Sequence, residues 1–124
     1  MSTDRELLEL AAKAAGVRYE PEASKPHPIS GAFFGLWLVF DGEPWEYAKR
    51  FWNPLTDDGD ALRLAVKLGL WVKVHVVFGA HVSSHECRDE CGLRITMVEH
   101  NEGDPCAATR LAIVRAAAEI GRQS

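Results

Sequence analysis

Trp71-Val72-Lys73-Val74-His75-Val76-Val77-Phe78 alternates along its length, with Val72, Val74, Val76 and Phe78 on one face and Lys73 and His75 on the other. A strand points successive side chains to opposite sides, so this period of two predicts a half-buried β-strand. Leu93 to Glu99 repeats the pattern, with Leu93, Ile95 and Met97 set against Arg94 and Thr96. The two runs predict an antiparallel hairpin joined by a long loop, Gly79 to Gly92. Their shared apolar face, including Val72, Val74, Val76, Ile95 and Met97, requires cover, which the first and last of the helices read below are expected to provide.

Three segments carry helical spacing. Thr3 and Glu6 form a capping-box pattern, Leu7, Leu8, Ala11, Ala14 and Ala15 make one apolar face, and Gly16 suits the left-handed C-terminal cap. In the middle, Asp57 or Asp58 caps a helix running to Lys67, with Leu62, Ala65 and Val66 expected to face inward and Gly69 to close it. The last helix begins with Asp104 as N-cap and Pro105 in its first turn, and its expected buried stripe is Leu111, Val114, Ala117, Ala118 and Ile120, with Gly121 after it. The three helix-glycine pairs are shared helix grammar rather than a duplication, because the segments between them match in neither length nor pattern.

Between the first two helices, Pro21, Pro26 and Pro28 make an irregular connection of Tyr19 to Ser30. Phe33 to Phe40 is continuously apolar and reads as a buried strand turning at Asp41-Gly42, and a second strand is placed around Trp45 to Trp52. The predicted order is α-β-β-α-β-β-α. The predicted fold class is α+β, with three helices packed on one face of a mostly antiparallel sheet in a single domain, 1–124.

The composition agrees with a folded chain: 47% hydrophobic and 26% charged residues lie outside the low-hydrophobicity, high-charge range of disordered sequences. A net charge of -4 provides no general field for phosphate, so nucleic acid is not an expected partner. No apolar run is long enough to span a bilayer, and the N-terminal residues lack a signal-peptide pattern, so neither secretion nor membrane insertion is expected. Three cysteines without an export signal read as reduced thiols, and the expected location is the cytoplasm.

Several residue groups are chemically suggestive. His81, His85, Cys87 and Cys91 are four zinc-type ligands within eleven positions, flanked by His75 and His100. Their spacing lacks the paired Cys-x2-Cys knuckle, so no cofactor is expected, with zinc the one alternative. Without metal, the loop holds only Val82 as a large apolar residue and is expected to be mobile; with zinc it would be among the most ordered segments. Cys106 lies in the first turn of the last helix, where the dipole favours thiolate, although the simpler assignment is a small residue packed at a helix start. Glu43, Glu46, Asp57, Asp58 and Asp60 offer carboxylates, but the aspartates are already accounted for as capping residues. Trp45, Tyr47, Lys49, Arg50 and Trp52 mix the residue types that dominate binding hot spots and form the expected binding set. Phosphate-loop, nucleophile-elbow and His-Glu-x-x-His signatures are absent.

Three blocks occur together: Asp4-Arg5-Glu6-Leu7-Leu8-Glu9-Leu10-Ala11-Ala12-Lys13-Ala14-Ala15-Gly16, Trp52-Asn53-Pro54-Leu55-Thr56-Asp57-Asp58-Gly59-Asp60-Ala61-Leu62-Arg63-Leu64-Ala65, and Asp104-Pro105-Cys106-Ala107-Ala108-Thr109-Arg110 leading into Ile113 to Gly121. With these blocks the chain resembles a family of small uncharacterised proteins of tailed bacteriophages and prophages of Gram-negative bacteria. The resemblance covers about half the chain and implies no catalytic residue or cofactor. The expectation is a phage accessory protein, more readily a non-catalytic protein-binding module acting on a host or phage protein than an enzyme. The alternatives are a thiol- or metal-dependent enzyme using Cys106 or the His81/His85/Cys87/Cys91 loop, and an inhibitor of a host anti-phage defence system.

Overall fold

The computed structural model describes residues 3–22, 24–38, 51–75, 79–83, 96–100 and 104–123. Among these, three helices and two small antiparallel sheets give an α+β fold. Helix α1 spans Asp4–Ala15, strand β1 Leu36–Trp37, strand β2 Phe51–Trp52 and helix α2 Asp58–Leu68. Strands β3, Trp71–His75, β4, Gly79–Ser83, and β5, Thr96–His100, precede helix α3, Pro105–Gln123.

The helix termini form where cap chemistry placed them. The Thr3 hydroxyl accepts from the Glu6 N–H at 3.2 Å, Asp57 accepts from the Asp60 N–H at 2.8 Å, and Asp104 accepts from the Ala107 N–H at 3.0 Å. Each satisfies an amide that the first helical turn leaves without a partner. Gly16 and Gly69 take the left-handed conformation at φ 71° and 63°, closing α1 and α2.

The expected pairing of the two alternating runs is corrected. β3 pairs antiparallel with β4 and β4 with β5, so a third strand lies between the two that were expected to form a hairpin. β4 is the first part of the segment read as a loop, and Val82, expected to sit in that loop, is fully buried in the core. The loop reading is therefore corrected for 79–83, which form a strand; Ser84 to Gly92 lie outside the described residues. In the first sheet, β1 and β2 pair with Leu36 opposite Trp52, and Tyr19 bridges Leu38. The strand expected from Phe33 starts later, at Leu36, and Phe34 is exposed; Val39 and Phe40 lie outside the described residues.

Helix α3 is the centre of the packing. It contacts α1, α2, β4 and β5, and its buried surface is mostly alanine: Ala108, Ala112, Ala116, Ala117 and Ala118, with Ile113 and Val114. Small side chains let backbones approach closely. Gly121 shows this best: it lies inside α3 rather than after it, and a Cβ there would collide with the Leu10 backbone of α1.

Helix α2 is held by the Trp52 to Arg63 block. The Asp60 carboxylate, 2% exposed, accepts from the Asn53 N–H at 3.0 Å and from the Arg63 guanidinium at 2.8 Å. Asn53 in turn accepts from the Leu55 N–H through its side chain and from the Asp57 N–H through its carbonyl. Pro54 is fully buried beside them. Arg110 of α3 donates to the Leu55 carbonyl at 2.8 Å and pairs with Asp58, fixing α2 against α3.

Candidate functional site

The inward face of α2 is Ala61, Leu64 and Ala65, together with Asp60. Of the three residues expected to face inward, only Ala65 does so. Leu62 is 64% exposed and Val66 72% exposed, and being four residues apart they form one ridge along the outer side of the helix. The physical reason is the direction from which α3 packs: it meets the 61/65 side of α2, leaving the 62/66 side uncovered by described residues.

Strand β3 is the edge of its sheet among the described residues. Directly opposed residues of an antiparallel pair point to the same face, so Val72, opposite Val82, and Val74, opposite Ala80, share the face on which β4 is buried. Val72 and Val74 therefore share the face read from the alternation, with Val76 and Phe78 outside the described residues, but the coverage of that face is incomplete. Helix α3 lies over β4 and β5 and meets β3 only at its margin, so Val72 and Val74 stay substantially exposed. Trp71, on the opposite face of β3, is 58% exposed.

Together these elements bound an apolar groove of roughly 310 Å³. Ala61, Leu62 and Ala65 of α2 form one wall, Val72 and Val74 of β3 the other, and Ile113 of α3 also lines it. Pro105, Cys106, Thr109 and Arg110 close the α3 end. The polar groups there are already engaged: Asp58 pairs with Arg110, and the Thr109 hydroxyl donates to the Pro105 carbonyl at 2.7 Å. Cys106 is a free, exposed thiol. The groove thus offers apolar contact with a polar rim.

The other residues singled out in the sequence fall elsewhere. Trp52, expected on a binding surface, is 5% exposed and belongs to the core, because β2 pairs it with buried Leu36. This is a correction for that residue; Trp45, Tyr47, Lys49 and Arg50 lie outside the described residues. His81 is exposed on β4, with its Nε2 3.4 Å from the Ser83 hydroxyl. His85, Cys87 and Cys91 lie outside the described residues, and the backbone of His75 and of His100 ends β3 and β5.

A second, more polar cleft lies between the exposed rings of Phe34 and Phe51 and the Asn53, Asp57, Asp60 and Arg63 cluster. The rings pack on each other at 5.9 Å between centroids, and Phe51 meets Trp37 edge-on at 4.7 Å. Its carboxylates are the capping and tethering groups of α2, so the cleft is the outer side of that structural knot. The Trp52 to Ala65 block is accordingly a device for starting and anchoring a helix. Among the described residues, no helix is long and apolar enough to cross a membrane. No protein-family model, curated protein or solved structure matches this chain.

Proposed function

We propose that this chain is a non-catalytic phage or prophage accessory module that acts in the host cytoplasm by docking a host or phage protein on the apolar surface of α2 and β3. One observation carries the reading: Leu62, Val66, Val72 and Val74 leave on the order of 350 Å² of largely apolar surface exposed on two adjoining elements, within the roughly 300–600 Å² of the largest patches on soluble monomers, which are often functional. Water contact with such a surface is unfavourable by about 25 cal/mol per Å², a cost that a partner's apolar side chains remove. The phage assignment is supported by the Trp52 to Ala65 block, and the protein-binding assignment by a groove whose polar groups are internally paired.

The test is the native size of the chain in host lysate. Gel filtration of lysate should show wild-type protein in an assembly heavier than the 13.7 kDa chain, and the double variant Leu62→Asp, Val66→Asp at the mass of the free chain. Because both side chains are exposed, the variant should melt close to the wild type. Elution of wild type at the free-chain mass, or of both proteins in the same assembly, refutes the reading.

A further inference from the structure

We infer that the partner on this surface is a second copy of the same chain, packed about a two-fold axis so that the Leu62/Val66 ridge of each copy enters the groove of the other. The inference rests on the docking reading above and names its occupant.

The molecule carries both halves of the fit side by side. Leu62 and Val66 protrude from α2, and immediately next to them lies the apolar groove between α2 and β3. A two-fold axis brings the same patch of two copies face to face, so an interface of this kind needs a ridge and a recess on one surface. The size also fits. A standard interface buries about 800 Å² per partner, somewhat more than half of it apolar; Leu62, Val66, Val72 and Val74 supply the larger part of that apolar share, and Ala61, Ala65 and Ile113 in the groove add to it.

Charge is arranged in the same sense. The centre of the patch is aliphatic, the ion pair of Asp58 and Arg110 lies at one end, and Lys73 points to the opposite face of β3 from the groove. Two copies meeting here place no like charges in contact at the centre, although each chain carries a net charge of -4. The residual repulsion between the chains acts at longer range and is screened by salt, so association should strengthen as ionic strength rises.

Sedimentation equilibrium of purified full-length chain tests this, with thiol labelling as a second readout. Cys87→Ser and Cys91→Ser leave Cys106, at the groove's end, as the only thiol. The expected result is a species of twice the chain mass, slower Cys106 labelling as concentration rises, and a dissociation constant raised about tenfold or more by Val66→Asp. A chain that stays monomeric at every concentration, with labelling independent of concentration, overturns the inference. If that monomer still enters a heavier assembly in lysate and Val66→Asp abolishes it, the docking surface stands and its occupant is another protein. If the lysate assembly is absent too, both readings fall. Slow Cys106 labelling in a monomer would mean that the chain's own residues cover the groove, which also overturns the inference.

Discussion

Replacing Asp60 with alanine should be among the most damaging single changes outside the alanine core, although an aspartate in the first turn of a helix reads as a modest dipole partner. The carboxylate is almost fully buried and receives the Asn53 N–H at 3.0 Å. Asn53 is itself buried, so its amide has no ready access to water once the acceptor is gone. An orphaned buried donor costs about 1–3 kcal/mol. Loss of the Arg63 contact adds no more than about 1 kcal/mol, because the arginine side chain is largely exposed. The expected destabilisation is therefore about 2–4 kcal/mol. With a urea slope of about 2 kcal/mol per molar, the unfolding midpoint should fall by roughly 1–2 M. Asp60→Asn keeps an acceptor oxygen for the Asn53 amide and should lose less than half as much. Arg63→Met should lose under about 1 kcal/mol. An Asp60→Ala midpoint within error of wild type would refute the claim that this carboxylate anchors α2. An Arg63→Met loss equal to that of Asp60→Ala would show that the ion pair, and not the buried amide, carries the energy.

Gly121→Ala should destabilise by more than about 2 kcal/mol in thermal or urea unfolding, because the added methyl meets the Leu10 backbone, which cannot turn aside as a side chain would. Asp104→Ala should cost about 1 kcal/mol by the same measurement, the usual loss when an N-cap acceptor is removed from the Ala107 N–H. Alkali should weaken the fold through Tyr19, whose hydroxyl donates to Glu9 at 3.2 Å. Burial raises its pKa above 10.0, and the neighbouring Glu9 charge and hydrogen bond act in the same direction, partly opposed by Arg5. The folded state therefore holds this proton more tightly than the unfolded state. The stabilisation is complete below about pH 10 and is lost as pH rises through the raised folded value, so urea midpoints should fall more steeply there for wild type than for Tyr19→Phe.

Helix ends were legible because their chemistry is local. Thr3, Asp57 and Asp104 each reach an amide three residues ahead, and Gly16 and Gly69 adopt a conformation set by their own lack of a Cβ. The α+β class followed from the switch between periods of two and of three to four residues. Strand β4 was not legible, since Gly79, Ala80 and Ser83 are weak strand formers. Its inward alternation of Ala80 and Val82 around exposed His81 gains meaning only between two neighbours that need a pairing partner. Gly121 has the sequence look of a helix stop, yet α3 continues through it because α1 requires a residue without a side chain there.

The candidate site was hidden for a similar reason. Ala61, Leu62, Leu64, Ala65 and Val66 spread apolar groups around more than half of α2, so periodicity alone offers two overlapping inward faces. Arg110 on Leu55 and Asp58, with Asp60 on Asn53, sets the rotation of the helix. Those contacts join residues from 7 to 55 positions apart and are invisible to any local pattern. Local chemistry sufficed to show which segments are helical, where they begin, and which face of β3 is apolar. That α3 covers β4 and β5 and leaves Leu62, Val66, Val72 and Val74 in contact with water follows from packing alone, because one helix is not wide enough to cover a three-stranded sheet and the flank of a neighbouring helix at once.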